Sequence, residues 1–328
     1  MDRVTLLDTS VGTTNLGDEI IMRCFREEMK EMLEKYFVLT APTHLRSFSV
    51  MQDIGSLPDS AREIANSKYK FVCGTNLLSS NLFHRCNQWD LSLLTCKPFR
   101  GSILVGVGGN TFTNRGLSGA YTKAIYQRVL SKDYIHSVRT EQAEESLKKL
   151  GFKALNTGCL TLWDLSSDFC GEIHRKKGNV AVVSLTDYNR DPQSDKLLID
   201  IVRKNYENVF FMPQGIYDRD YLLSIDAGGG IVQLPPSIDS YERLLKSGKT
   251  IDYVGTRFHG GIFAMRHKAR CIVVTLDERM AAMQSSIANN CLPRSKVKLD
   301  LEDKINSEFS TKVNVNFSAI KEWKAQFD

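Results

Sequence analysis

One short segment combines a guanidinium, an imidazole and two glycines, residue types from which anion sites are built. Arg257 and His259 stand two residues apart after a short apolar run, and Gly260 and Gly261 follow them. Residues two apart in an extended segment point to the same side, so both side chains are expected to leave the strand together. The glycines are expected to open a helix, whose N-terminus attracts negative charge. Together with Thr256, these residues predict a binding site for a carboxylate or a phosphate.

His259 adds a proton that exchanges near neutral pH, which the other donors of this segment cannot supply. It is therefore a candidate for general acid–base catalysis. A lone histidine more often has a structural role, but the neighbouring arginine and glycines favour a functional one.

A second candidate site lies in the turn between the first predicted strand and the first predicted helix. Asn15, Gly17 and Asp18 stand there in the sequence TTNLGDEII. The backbone N–H groups of such a turn and the positive end of the helix dipole favour an anion. The turn is not a P-loop, because no Gly-Lys-Ser/Thr follows its glycine. The alternative is that Gly17 only forms the turn and Asp18 only caps the helix.

Arg139 ends a further predicted strand in the sequence SVRT, directly before a predicted helix with Thr140 as its N-cap. An arginine at a strand end can hold an anion with two parallel hydrogen bonds. It can equally pair with a glutamate of the following helix, at Glu141, Glu144 or Glu145. The sequence leaves both alternatives open.

Two further motifs are weaker. GVGGNTF, residues 106–112, departs from the dinucleotide-binding pattern G-x-G-x-x-G at Thr111, which disfavours a nicotinamide dehydrogenase. DRD, residues 218–220, has the spacing of a metal–diphosphate site, but aspartates are favoured in the first turn of the helix predicted there. The sequence contains no His-x-x-x-His or Glu-x-x-His spacing, which would indicate metal ligands on a helix. We therefore expect no metal site and no cofactor.

Short apolar runs alternate with segments of helical period along the chain, which is the pattern of parallel sheets covered by helices. The charged stretch EIHRKKGN at residues 172–179 interrupts this alternation. The expected fold is α/β, with two Rossmann-like domains, residues 1–172 and 173–328, that face a ligand-binding cleft. The amphipathic tail FSAIKEWKAQF is expected to be a C-terminal helix of the second domain.

The composition limits the partners and the compartment. The chain has 328 residues and a formal net charge of +5, which suits an anionic small molecule and not nucleic acid. Its eight cysteines contain no CxxC pair, so they are expected to be reduced and mostly buried, as in a cytoplasmic protein. There is no signal-peptide core and no apolar run of about 20 residues, so no transmembrane segment is expected.

Five segments, in order along nearly the whole chain, resemble the polysaccharide pyruvyl transferase family. They are NLGDEII, KFVCGTNLL, SVRTEQAEESLKKLG, TGCLTLW and GTRFHGGIFAMRHKARCIVVTLDERM. Two of them depart from the family pattern. Cys159 and Leu160 replace a common Asp-Pro pair, and Thr140 replaces a common acidic residue.

The resemblance implies a GT-B arrangement and the transfer of a pyruvyl group from phosphoenolpyruvate to a sugar diol, forming a cyclic ketal and releasing phosphate. For that chemistry, Arg139 and Arg257 are the expected clamps of the donor anion, and His259 is the expected acid. Asn15 and Asp18 are expected to orient the acceptor hydroxyls, with Asp18 as a base. The first domain is then the acceptor side and the second domain the phosphoenolpyruvate side.

Two other functions remain open at this point. One is a GT-B glycosyltransferase, in which Arg257 holds the diphosphate of a nucleotide sugar. The other is a noncatalytic sugar-binding relative that keeps the fold. A lipid-linked acceptor would suit the basic stretch RSKVK, residues 294–298, at an inner membrane face, although a solvated loop is the more common meaning of such a stretch.

Overall fold

The computed structural model describes residues 1–49, 59–83, 88–109, 116–225, 229–276 and 285–327. The chain forms two compact units. Unit 1 consists of residues 1–13, 21–163 and 316–328, and unit 2 consists of residues 14–20 and 164–315.

Strands and helices alternate in both units, as the apolar periodicity predicts. The strands are β1 (Arg3–Asp8), β2 (Phe37–Pro42), β3 (Tyr69–Cys73), β4 (Ser102–Val105), β5 (His136–Val138), β6 (Ala154–Asn156), β7 (Val180–Ser184), β8 (Asn208–Phe211), β9 (Ile231–Gln233), β10 (Ile251–Gly255), β11 (Arg270–Thr275) and β12 (Cys291–Pro293). The helices are α1 (Leu16–Glu28), α2 (Lys30–Leu33), α3 (Asp59–Ala65), α4 (Gly116–Val129), α5 (Glu141–Lys149), α6 (Ser167–Gly171), α7 (Pro192–Asn205), α8 (Asp218–Ser224), α9 (Ile238–Leu245), α10 (Phe258–Arg266), α11 (Val297–Asn306) and α12 (Phe317–Lys324).

The main sheet of unit 1 has the order β2-β1-β3-β4, and all of its neighbours are parallel. β5 and β6 form a parallel pair, which the bridge between Val107 and Val138 joins to the chain that leaves β4. Every residue of β3 and β4 is buried, because helices cover both faces of a parallel sheet.

The sheet of unit 2 has the order β12-β11-β10-β7-β8-β9 and is parallel throughout. Read from β9, this is the strand order of the Rossmann fold. The order reverses between β7 and β10, and ligands of such folds bind outside the carboxyl ends of the strands at this switch point. The predicted fold class, α/β with two Rossmann-like units, is confirmed.

Three boundaries differ from the prediction. The apolar period of residues 19–37 predicts a single helix, but the helix divides at Met29, whose backbone leaves the helical region with φ −108° and ψ 14°. The chain passes into unit 2 after Trp163 and not near residue 172, since Asp164 already forms an ion pair with Arg266 of α10. The C-terminal helix α12 belongs to unit 1 and not to the second domain.

Burial of its apolar face holds α12 on unit 1. Trp323 is fully buried, and its Nε1 donates a hydrogen bond to the carbonyl of Ile135 at 2.8 Å. Its ring meets that of Trp163 edge-on, with centroids 5.7 Å apart. Lys324 donates a hydrogen bond to Glu28 Oε2 at 2.7 Å. The amphipathic period predicts the helix, but only these contacts decide which surface it covers.

The described part of the chain contains no helix with the length and apolarity needed to cross a membrane. Six of the seven cysteines that the structure describes are buried, as predicted, and Cys291 is partly exposed. Residues 110–112 of the GVGGNTF motif and residues 277–280 of the last family segment lie outside the described residues.

His136 is fully buried in β5. Its Nδ1 accepts a hydrogen bond from the backbone N–H of Leu104 at 3.1 Å, and its Nε2 donates one to the carbonyl of Ser131 at 2.9 Å. Burial lowers the pKa of His136 to about 4, although the bond to Ser131 opposes this shift. The fold therefore holds this imidazole neutral in mildly acidic solution.

Acid is expected to destabilise unit 1 through His136. The unfolded chain binds this proton near pH 6.5 and the folded chain near pH 4. The contribution of the neutral His136 to the free energy of unfolding is thus complete above pH 6.5. It declines by about 1.4 kcal/mol per pH unit as the pH falls toward 4. Thermal unfolding followed across this window should show a smaller acid loss in His136→Asn than in the wild type. Equal losses, or a His136 ring that titrates near pH 6.5 by nuclear magnetic resonance, would contradict the prediction.

Candidate functional site

The chain leaves β10 and enters α10 almost directly, with Arg257 at the N-cap and His259 in the first turn. The prediction that the segment from Arg257 to His259 is extended is therefore wrong. The carbonyl of Arg257 accepts hydrogen bonds from the hydroxyl of Tyr253 at 2.6 Å and from the N–H of Gly261 at 3.2 Å. The second bond closes the first turn of α10, so the helix begins before Gly260 and Gly261, which were expected to open it.

Two carboxylates pair with the guanidinium of Arg257, which is 5% exposed. Nε donates to Asp218 Oδ2 at 3.0 Å, and Nη2 donates to Asp218 Oδ1. Nη2 also donates to Asp187 Oδ1 at 2.8 Å. Burial lowers the pKa of Arg257, but the interactions with Asp218 and the smaller ones with Asp187 outweigh it and raise the pKa above its ordinary value. The cation is thus fixed and compensated.

The chain that follows β7 completes the surroundings of Arg257. Nε donates to the carbonyl of Leu185 at 3.2 Å, and the guanidinium lies 5.2 Å from the ring centre of Tyr188. The hydroxyls of Thr186 and Thr256 are 2.8 Å apart and link the two strand ends of the switch point. Within the described residues, the hydrogen bonds of Arg257 use Nε and Nη2, so Nη1 is the nitrogen that remains for a ligand.

Asp218 holds this region together and is fully buried. Besides the guanidinium, the backbone N–H groups of Asp187, Gln214 and Gly215 donate to its carboxylate at 3.0, 2.9 and 2.7 Å. The predicted position of Asp218 at the start of a helix is confirmed. The sequence does not predict that Asp218 pairs with Arg257. Its only hint is that both residues follow the end of a strand.

Residues 14–20 join unit 2 through an antiparallel bridge. Asn15 pairs with Gly215, and the N–H of Leu16 donates to the carbonyl of Gln214 at 2.7 Å. The candidate residues near the start of the chain therefore lie in the same unit as α10.

Gly17 brings this segment against His259. A Cβ at position 17 would lie 3.1 Å from His259 Nδ1 and 3.2 Å from the side-chain amide of Asn15. The N–H of Gly17 donates to Asn15 Oδ1 at 3.1 Å, and the N–H of the buried Asp18 donates to the carbonyl of Asn15 at 3.1 Å. The structure thus brings Asn15, Gly17 and His259 together.

The two glycines of α10 have different surroundings. A Cβ at Gly261 would lie 2.8 Å from Cys271 Sγ, so Gly261 allows α10 to pack closely on β11. A Cβ at Gly260 would overlap the side-chain amide of Gln214. Gly260 therefore lies against the side chain of Gln214, in the segment that follows β8.

Arg139 lies in unit 1, where β5 ends. It is 8% exposed, its Nη2 donates to Asn76 Oδ1 at 2.6 Å, and its Nη1 is buried without a partner in the described residues. A side chain at Gly108 would overlap the guanidinium. Thr140 caps α5 as predicted, accepting a hydrogen bond from the N–H of Ala143 at 3.2 Å.

Arg139 does not pair with a glutamate of α5, which was the alternative that the sequence left open. Glu144 pairs with Lys148 at 2.5 Å and Glu145 with Lys149 at 3.4 Å. No ion pair to Arg139 occurs within the described ranges. Arg139 is therefore a buried cation whose side-chain partner among the described residues is the neutral amide of Asn76.

In each unit taken by itself, these groups suit an anion better than a metal ion. Unit 2 offers the N-terminus of α10 with His259, and unit 1 offers Arg139. In the part of the chain that the structure describes, no three His, Cys, Asp or Glu side chains cluster as metal ligands do.

The fold defines an α/β protein of two Rossmann-like units, with a buried arginine at the carboxyl end of a strand in each unit. The family model for polysaccharide pyruvyl transferases matches residues 15–278. The chain belongs to this family, which confirms the resemblance seen in its sequence.

One solved structure supports the fold, and a second is similar at a lower score. A protein of Listeria monocytogenes described as a UDP-N-acetylglucosamine 2-epimerase matches with a TM-score of 0.52 and 12% identity, over 99% of this chain and 95% of its own. UDP-GlcNAc 2-epimerase of Neisseria meningitidis, bound to UDP-GlcNAc, matches with a TM-score of 0.48 and 10% identity, over 100% and 99% of the two chains. No curated protein matches the chain.

Asp218→Asn is expected to destabilise the protein by about 3 kcal/mol, because it leaves the buried charge of Arg257 without its main partner. Asp220→Asn, the same substitution at an exposed position of α8, should change stability by less than about 0.5 kcal/mol. Denaturant unfolding of the two variants measures the difference. Similar unfolding midpoints for both would refute the role given to Asp218.

Proposed function

We propose that this protein transfers the pyruvyl group of phosphoenolpyruvate to two hydroxyls of a sugar in a polysaccharide or its precursor. The products are a cyclic ketal and phosphate. Membership of the family supports this class of reaction. The observation that carries the proposal is the position of His259, in the first turn of α10 and against Gly17.

The reaction begins with a proton. His259 delivers it to the methylene carbon of phosphoenolpyruvate, which becomes a methyl group and leaves C2 with oxocarbenium character. The first sugar hydroxyl attacks C2, and Asp18 takes its proton. The second hydroxyl then displaces phosphate and closes the ring. One diol proton ends on the methyl group, by way of Asp18 and His259, and the other ends on phosphate.

Asn15 orients the attacking hydroxyls in this proposal. Its backbone is fixed by the bridge to Gly215, and it lies in the same turn as Asp18. Thr256, Gly260 and the N-terminus of α10 bind an anionic group of phosphoenolpyruvate, since a helix N-terminus presents N–H groups and positive potential.

The two arginines have different parts in the proposal. Arg139 supplies an uncompensated charge to an anionic group of a substrate, because its Nη1 is buried without a partner in the described residues. Arg257 is neutralised by Asp218 and Asp187. It therefore contributes a fixed Nη1 donor and less net attraction than its charge alone suggests.

The proposal is tested by incubating the protein with phosphoenolpyruvate and a panel of glycans, some of them lipid-linked. Release of inorganic phosphate together with a new ketal methyl resonance is the expected result. Sugar transfer from a nucleotide sugar, without phosphate release from phosphoenolpyruvate, would support a glycosyltransferase instead. No turnover of either donor would indicate a noncatalytic relative.

His259→Ala is expected to lower turnover by at least about 100-fold, because it removes the acid of the first step, while phosphoenolpyruvate still binds. His267→Asn, at the other end of α10, serves as the control and should keep wild-type turnover. Phosphate release and calorimetric binding measure the two effects. Wild-type phosphate release by the His259 variant would rule out this role.

Arg139→Met is expected to weaken the binding of phosphoenolpyruvate by at least about 10-fold, because a charged hydrogen bond is lost. The thermal midpoint should stay the same or rise, since an uncompensated buried charge is removed. Arg128→Met, at an exposed position of α4, is the matched control. Unchanged affinity in a calorimetric titration would show that Arg139 does not bind the donor. A lower thermal midpoint together with unchanged affinity would show that its role is structural.

A further inference from the structure

The side chain of Gln214 contains a buried hydrogen-bond donor without an acceptor. Gln214 is 2% exposed, and its Nε2 has no partner in the described part of the chain. A buried amide N–H that is left unpaired destabilises a fold. A ligand that supplies the missing acceptor removes this penalty when it binds.

The backbone of Gln214 is fixed on both sides, so the fold itself sets the direction of the amide. Its N–H donates to Asp218 Oδ2 at 2.9 Å. Its carbonyl accepts a hydrogen bond from the N–H of Leu16 at 2.7 Å. The first bond ties Gln214 to the partner of Arg257, and the second ties it to the turn that contains Gly17.

The amide points at the first turn of α10. Its Nε2 is the atom nearest to the place that a Cβ of residue 260 would occupy, and the two would overlap. Glycine at position 260 is therefore required for the amide to lie there. The first N–H groups of a helix have no partners within the helix, so two kinds of donor meet at this point.

Some of the other buried unpaired atoms of unit 2 have a charged neighbour that explains them. Asp195 Oδ1 lies 3.6 Å from Arg294 Nε, and Asp252 Oδ1 lies 3.6 Å from His174 Nε2. Of the rest, Gln233 Oε1 and Asn290 Oδ1 are acceptors, and Arg270 Nε belongs to a guanidinium that pairs with Asp252. Gln214 Nε2, in contrast, is a donor, and it has no hydrogen-bond partner among the described residues. The group that it lacks is an acceptor, and an anionic oxygen is the strongest acceptor.

We propose that Gln214 is a substrate-binding residue, whose Nε2 donates a hydrogen bond to an oxygen of the anionic group bound at the N-terminus of α10. The inference rests on the proposed function, in which this group is the carboxylate or the phosphate of phosphoenolpyruvate. Gln214 thus adds a neutral donor close to the compensated Arg257. Asp218 positions both side chains, because it binds the backbone of one and the guanidinium of the other.

Two substitutions separate binding from folding. Gln214→Met keeps the length of the side chain and removes its N–H groups, so the thermal midpoint should stay the same or rise. The Kd and the KM for phosphoenolpyruvate should rise at least about 10-fold, with a much smaller change in kcat. Gln214→Glu should weaken binding further through repulsion of the anion. Gln193→Met, at an exposed position of unit 2, should leave all of these quantities unchanged.

Calorimetric titrations with phosphoenolpyruvate and with inorganic phosphate distinguish this inference from the function on which it rests. Wild-type Kd and KM in Gln214→Met, with ketal formation intact, would overturn the inference and keep the function. If the wild type forms no ketal but binds phosphate, and Gln214→Met weakens that binding, the function fails and the inference stands. A wild type that binds neither anion would overturn both.

Discussion

The buried pair of Arg257 and Asp218 is the interaction on which unit 2 depends at its switch point. A guanidinium with 5% exposure is stable only with a partner, and Asp218 provides that partner from the helix that follows β8. The same carboxylate binds the N–H groups of Asp187 and of residues 214 and 215. One side chain therefore joins the chain segments that leave β7, β8 and β10, and it fixes the place where α10 begins.

This pairing gives two arginines with similar sequence settings opposite electrostatic characters. Arg139 and Arg257 each follow a buried parallel strand and precede a helix. Arg257 is neutralised by two carboxylates, whereas Arg139 has a neutral partner in Asn76. Arg257 thus offers a donor that is fixed in position, and Arg139 offers an uncompensated positive charge.

The turn around Gly17 shows how a distant segment completes a site. Residues 14–20 precede nearly all of unit 1 in the sequence, yet they pack in unit 2, where Asn15 pairs with Gly215. The acceptor role proposed for Asn15 and Asp18 is thus exerted from the unit that carries His259. The likeness to an epimerase at 12% identity concerns the fold alone, and the chemistry depends on side chains such as these.

The sequence by itself determined the fold class, the family and most elements, because apolar periodicity and motif order are local properties of the chain. It also identified Arg139, Arg257 and His259 as candidates, since arginine and histidine at strand ends are recognisable without coordinates. Only the tertiary structure decided which charges compensate one another, as in the pairing of Asp218 with Arg257 and in the unpaired amide of Gln214. It also decided that α12 covers unit 1, because contacts between residues far apart in the chain leave no periodic trace in it.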